Sequence, residues 1–255
     1  VFRVVIPARF DSARLPGKVL LPIGGRPMLQ WVCERARASG ALQVIVATDD
    51  PHIQAAAVQA GVDCVMTAST HLCGTDRIAE AVGILGWAAE DIVVNLQADE
   101  PLMPPALVGQ VAALLQDCAD ADIATLAAPV TSLAEFLDPN AVKVALADDG
   151  RALFFSRAPI PWDRDGAVQA APGPDSYQGA LRHIGLYAYR VRSLRRLSQL
   201  PPGPLERREQ LEQLRALAHG MQIRVGIATV RPGVDVNTAA DLERIRTLLE
   251  GQFHA

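Results

Sequence analysis

Over the first 130 residues, short β-branched apolar runs alternate with stretches whose apolar positions recur at helical spacing. Residues 4–6, 44–46, 63–66, 92–94 and 123–126 predict buried strands, and residues 28–38, 51–60, 75–85 and 104–116 predict helices. Pro51 and Pro104 stand where a first helical turn tolerates proline, and Gly40 and Gly61 stand where helices stop. A βαβα order makes a parallel sheet with helices on both faces. Its ligands bind beyond the carboxyl ends of the strands, so the loops after Ile6, Val46, Met66 and Leu96 are the places to search.

The pattern then changes. Residues 142–146, 152–155 and 183–190 predict strands of a hairpin-rich insertion, interrupted by a Gly/Pro-rich loop at 166–179. Residues 205–218 predict a helix, 223–228 a strand, and 238–249 a closing helix capped by Thr238. There is no internal repeat. The expected fold class is α/β: a Rossmann-like, mostly parallel sheet with helices on both faces and an antiparallel insertion. The expected organisation is one domain over 1–255, with a core at 1–130. An insertion at 140–215 and a return to the core sheet at 220–255 complete it.

Half of the 255 residues are apolar, a fifth are charged, and the net charge is −4. That excludes a disordered chain and argues against a nucleic-acid binder, which carries a basic surplus. No apolar run approaches the ~20 residues of a membrane span, and the N-terminus lacks a signal-peptide pattern. The four cysteines, Cys33, Cys64, Cys73 and Cys118, form no C-x-x-C pair. A reduced, cytoplasmic protein is expected.

Two loops carry candidate chemistry. Pro7-Ala8-Arg9-Phe10-Asp11-Ser12-Ala13-Arg14-Leu15-Pro16-Gly17-Lys18 places Arg9, Arg14 and Lys18 just past the first strand, where a polyphosphate would lie. It is not a Walker loop, since Ser12 replaces its first glycine and Val19 its Ser/Thr; Gly24-Gly25 is no dinucleotide fingerprint either. The bland alternative is a solvated basic loop. Asn95-Leu96-Gln97-Ala98-Asp99-Glu100-Pro101 ends the fourth strand with a carboxylate suited to bridging magnesium to phosphate, or to capping the helix near Pro104. Gln97 shares the face of Asp99. Asp120-Ala121-Asp122 precedes a strand and reads as a solvated turn. The arginine-rich stretches at 190–196 and 207–208 read as solvated helix faces.

These loops resemble the nucleotide-binding signature of sugar nucleotidyltransferases. With them stand His71-Leu72-Cys73-Gly74-Thr75-Asp76-Arg77, Asn140-Ala141-Val142-Lys143-Val144, the segment from Phe154 to Arg164, Arg182-His183-Ile184-Gly185-Leu186-Tyr187, Pro204-Leu205-Glu206 and Leu211-Glu212-Gln213-Leu214-Arg215. Together, from residue 4 to about 246, they resemble the 3-deoxy-manno-octulosonate (Kdo) cytidylyltransferase branch, which activates Kdo for lipopolysaccharide synthesis. The resemblance implies attack of the Kdo anomeric hydroxyl on the α-phosphorus of CTP, giving CMP-Kdo and pyrophosphate with magnesium. It implies Arg14, Lys18 and Asp99 as catalytic residues. Ala8, Arg9, Arg14, Lys18, Thr75, Arg77 and Gln97 would bind CTP. Arg157, Arg164, His183, Tyr187, Glu212 and Gln213 would bind the acidic sugar, and a homodimer would form through the insertion. Taken residue by residue, His183 could equally be structural, and Glu212 could pair with Arg208 or Arg215 on a helix surface.

One position departs from the family's pattern. The family reads hydrophobic-Asp-Thr-x-x-Asp-Leu near its C-terminus, with that first aspartate a second magnesium ligand. Here Val236-Asn237-Thr238-Ala239-Ala240-Asp241-Leu242 places an amide there, with Asp235 two residues upstream. The expected metal ligands are Asp99 and Asn237, or Asp235 in its place. Two other readings stand beside this one: a cytidylyltransferase for another acidic 2-keto sugar, and a non-catalytic nucleotide-sugar-binding protein.

Overall fold

A computed structural model describes residues 1–10, 15–71, 73–164, 175 and 177–253, the last five by their backbone only. The first strand, β1 (Phe2–Pro7), leads through a 3-10 turn (Lys18–Leu20) into a tiny hairpin, β2 (Pro22–Ile23) and β3 (Arg26–Pro27). Gly24 and Gly25 form its two-residue turn, both with positive φ, as a tight right-twisted hairpin requires. Then follow α1 (Met28–Arg37), β4 (Val44–Thr48), α2 (Pro51–Gln59), β5 (Asp63–Met66), α3 (Gly74–Ile84), β6 (Ile92–Asn95), α4 (Pro105–Asp117) and β7 (Ile123–Pro129). After a short α5 (Leu133–Leu137) come β8 (Lys143–Leu146), β9 (Ala152–Ser156), β10 (Leu181–Arg190), α6 (Val191–Gln199), α7 (Pro204–Glu209), α8 (Gln213–Ala218), β11 (Ile223–Ile227) and α9 (Ala239–Phe253).

The main sheet runs β11-β7-β10-β6-β1-β4-β5, and β8 extends it from β10, with β9 beyond. Strands β6, β1, β4 and β5 are mutually parallel, as are β7 and β11. Helices cover both faces and bury the central β-branched residues: Val4, Ile6, Val46 and Val94 on one, Val5, Ile45 and Val93 on the other.

Two of the expected elements take a different form, and β2, β3 and α5 were not expected. Strand β10, expected among the insertion's hairpins, lies antiparallel between β6 and β7 at the centre of the sheet. Its alternation of Ile184, Leu186 and Ala188 with His183, Tyr187 and Tyr189 buries both faces, which local pattern does not distinguish from a hairpin strand. The helix expected over 205–218 is two short helices, broken at Gln210, whose φ of 53° is left-handed. The closing helix begins as expected: Thr238 Oγ1 accepts from the Asp241 amide (3.2 Å), and Asp241 Oδ2 accepts from the Thr238 amide (2.8 Å). Asp122 is more than a solvated turn, since its carboxylate accepts from Ser193 Oγ and the Gln222 amide. The loop expected at 166–179 lies largely outside the described residues.

Candidate active site

The site forms beyond the carboxyl ends of β1 and β6. The Gly17 amide donates to the Phe10 carbonyl at 2.9 Å, bringing the two ends of the first loop together. Gly17 has φ 65°, a left-handed conformation that favours glycine, and a Cβ there would stand 3.2 Å from the Phe10 ring. The turn delivers Lys18 into the cleft, where its Nζ lies 2.5 Å from Asp99 Oδ2 and 3.1 Å from the Val236 carbonyl. The Val236 amide in turn donates to the Asp99 carbonyl at 2.9 Å. Asp99 therefore does not cap α4, whose N-cap is Pro104. It anchors the ammonium instead.

A cavity of about 330 Å³ opens around this pair, lined by Ala8, Arg9, Arg77, Gln97 and Asn237 among others. Arg77 is 3% exposed and held by Asp49 at 3.2 Å and Thr67 Oγ1 at 2.5 Å. Its guanidinium is thus fixed before any ligand arrives. His71 and Cys73, to which sequence reasoning gave no role, also line this cavity. His71 is paired with Glu80. Cys73 caps α3 through its Sγ, and burial, with Glu212 second, pushes its thiol far up, which favours the protonated form. Arg14 falls outside the described residues.

A second cavity of about 410 Å³ lies on the other side of Gln97 and Asp99, which line both. Here β10 pulls away: its register against β7 shifts between Ile184 and Tyr187, a bulge of the kind that re-aims side chains. His183 and Tyr187 reach the cavity wall with Asn140, Arg182 and Asp235. His183 Nε2 lies 2.9 Å from Thr125 Oγ1, whose own proton has the Leu186 carbonyl at 2.8 Å. Nε2 is therefore the donor, and Nδ1 is left as an acceptor. Burial, with Arg182 second, pulls the His183 pKa down to about 3, so the ring is neutral. Burial likewise raises the Tyr187 hydroxyl, with Glu212 second.

A smaller cavity of about 150 Å³ adjoins both and is lined by Thr75, Gln97, Tyr187, Tyr189, Glu212 and Gln213. Arg215 is taken by Glu206 at 2.5 Å, and Glu212 lines this cavity with its side chain hydrogen-bonded to Cys73. Of the sugar-side candidates, two stand apart. Arg157 donates to the carbonyls of Glu209 (2.7 Å) and Pro139 (2.9 Å). Arg164 is exposed and is not among the residues lining these cavities. Sequence reasoning gave no role to Glu100, which lines the larger cavity. Its Oε2 has no hydrogen-bond partner among the described residues, and burial, with Asp99 and Asp235 next, pushes its carboxyl well up.

For a divalent cation the 330 Å³ cavity offers Asp99 and Asn237. Asn237 Nδ2 donates to Asp235 Oδ2 at 2.5 Å, which leaves the amide oxygen as its other polar atom; Asp235 itself lines the neighbouring cavity. Among the described residues no three His, Cys, Asp or Glu side chains cluster to hold a metal. One carboxylate and one amide oxygen fit magnesium shared with phosphates and water, and do not fit an all-protein cage.

Comparison with known proteins shows the family. The cytidylyltransferase family model matches residues 3–223. The 3-deoxy-manno-octulosonate cytidylyltransferase of Halorhodospira halophila is 52% identical over 249 residues, covering 98% of this chain and 97% of that protein. That of Tolumonas auensis is 50% identical, covering 97% and 96%. A solved structure of CMP:2-keto-3-deoxy-manno-octonic acid synthetase with CTP superimposes with a TM-score of 0.88 at 39% identity, covering 99% of this chain and all of that one. A cytidylyltransferase from Leptospira borgpetersenii, at 17% identity and a TM-score of 0.62, shares the fold. The chain belongs to the 3-deoxy-manno-octulosonate cytidylyltransferases.

Proposed function

We propose that this protein transfers the cytidylyl group of CTP to the anomeric hydroxyl of Kdo. The hydroxyl oxygen bonds to the α-phosphorus, the bond from that phosphorus to the β-phosphate oxygen breaks, pyrophosphate leaves, and the hydroxyl proton passes to solvent. The observation that carries the reading is that Lys18 and Asp99 meet where a 330 Å³ and a 410 Å³ cavity adjoin. Such an arrangement suits in-line transfer between two bound substrates, which needs positioning and charge neutralisation more than covalent chemistry.

In this reading Arg9, Arg77, Lys18 and Arg14 hold the triphosphate side, with Ala8, Thr75 and Gln97 around the nucleoside. His183 Nδ1, Tyr187, Glu212 and Gln213 take the sugar hydroxyls. Arg164 is proposed for the sugar carboxylate, with Arg157 beside it in addition to its contacts with the chain. Asp99 and Asn237 would hold magnesium, which when bound neutralises phosphate charge. A homodimer in the cytoplasm completes the proposal; among the described residues no helix is long and apolar enough to cross a membrane. The test is pyrophosphate release from CTP with Kdo, with the CMP-sugar product identified by mass.

A further inference from the structure

Of 24 basic residues only Lys18 and Lys143 are lysines. Lys18 works at the junction of the cavities, whereas Lys143 has no part in the reaction outlined above. It is nevertheless 0% exposed, and enclosing an ammonium is costly unless its hydrogen bonds are supplied. Its Nζ donates to the carbonyl of Asp138 at 2.8 Å. Strand alternation puts Lys143 on the opposite side of β8 from its neighbour Val142, which lines the larger cavity.

Other bonds converge on the same turn. The Asn140 amide and Nδ2 both donate to Asp138 Oδ1, at 2.8 and 3.0 Å. Arg157 Nη1 donates to the Pro139 carbonyl at 2.9 Å, and its own backbone amide is held by Glu209 Oε2 at 2.9 Å. The Val142 carbonyl accepts from the His183 amide at 2.8 Å. What this scaffold presents to the cavity is Asn140, whose Nδ2 is taken by Asp138 and whose Oδ1 is left to accept from an outside hydroxyl.

We infer that Lys143 is a positioning residue for the sugar: with Arg157 it clamps turn 138–140 from behind and so fixes Asn140 on the wall of the larger cavity. The inference rests on the reading that this cavity takes the acidic sugar. A lysine that only stabilised the fold would change melting temperature and leave the balance between the two substrates untouched.

A double-mutant cycle separates these roles. Lys143→Met, Asn140→Ala and their combination are assayed for kcat and for the KM of Kdo and of CTP, with thermal melts alongside. The expected result is a KM for Kdo raised about tenfold by Lys143→Met, with the KM for CTP within about twofold. In the combined variant the two effects should not multiply. Lys143→Gln, which keeps a donor for the Asp138 carbonyl, should return the KM for Kdo to within about threefold of wild type. Multiplying effects, equal loss for both substrates, or a lowered melting temperature with an unchanged KM for Kdo would each overturn the inference. Should Lys143→Met fail to fold, Lys143→Gln decides alone, and a tenfold rise there overturns it. If wild type does not turn over Kdo, it is the proposed function that fails, and the same cycle is then run with the 2-keto sugar acid that is turned over.

Discussion

Lys18 and Asp99, 81 residues apart in sequence, meet at 2.5 Å in the cleft, and the same ammonium reaches the Val236 carbonyl at 3.1 Å. One side chain thus ties together the first loop, the end of the fourth parallel strand and the segment leading into the closing helix. A cation held this way is aimed before substrate binds, which is what stabilising charge in a transition state requires.

Lys18→Ala should therefore lower kcat by about 10²–10³, with the KM for CTP changed by no more than about threefold. Steady-state kinetics with both substrates checks this. Near-normal kcat with weakened CTP binding would make Lys18 a ground-state anchor.

Gly233 offers a steric test of the segment before α9. A Cβ there would fall 2.3 Å from the Leu102 carbonyl oxygen, so Gly233→Ala must push residues 232–236 off the loop that carries Asp99. Overpacking of this kind should lower the melting temperature by about 5 °C. It should also reduce kcat/KM at least about tenfold, because Val236 loses its register on Asp99. An unchanged melt and unchanged kinetics would contradict this packing.

The neutral state of His183 makes a pH prediction. Its folded pKa lies near 3, below the ordinary value of 6.5, so between those values the unfolded chain binds the proton and the folded chain does not. Stability from this residue is complete above pH 6.5 and is lost as pH falls toward 3. His183→Gln should accordingly flatten the fall in melting temperature between about pH 6.5 and 4. A variant that melts with the same acid slope as wild type would mean the ring is charged in the fold.

Asn237 and Asp235 divide between the two cavities, which predicts different roles for them. Asn237→Asp should lower the magnesium concentration for half-maximal activity by about threefold to tenfold. Asp235→Ala should keep most activity at saturating magnesium. Magnesium titrations of both variants decide it, and loss of turnover in Asp235→Ala but not in Asn237→Ala would move the ligand to Asp235.

What could be read from the sequence follows a physical line. Strands such as residues 4–6 and 92–94 are β-branched and buried on both faces, and two of the helices of this region, α2 and α4, start at prolines, so local chemistry marks them. Lys18 and Asp99 were legible because each lies in the loop that follows such a strand. Strand β10 was not placed, because insertion between β6 and β7 is a choice of partners, and its own residues suit a hairpin equally well. The break at Gln210 carries no Gly or Pro to announce it. Lys143 stands out in the sequence as one of two lysines and Glu100 does not stand out at all, but the interest of both lies in burial and in what they face, which only tertiary packing decides. Arg157 shows the converse, a residue picked for its charge whose donors the fold applies to the carbonyls of Glu209 and Pro139.

The central claim is cytidylyl transfer to Kdo, and a pyrophosphate-release assay with CTP and a small panel of 2-keto sugar acids tests it most directly. The account predicts one pyrophosphate released and one CMP-Kdo formed per Kdo consumed, with kcat/KM highest for Kdo across the panel. Absence of pyrophosphate with Kdo, or a higher kcat/KM for another sugar acid, would contradict it.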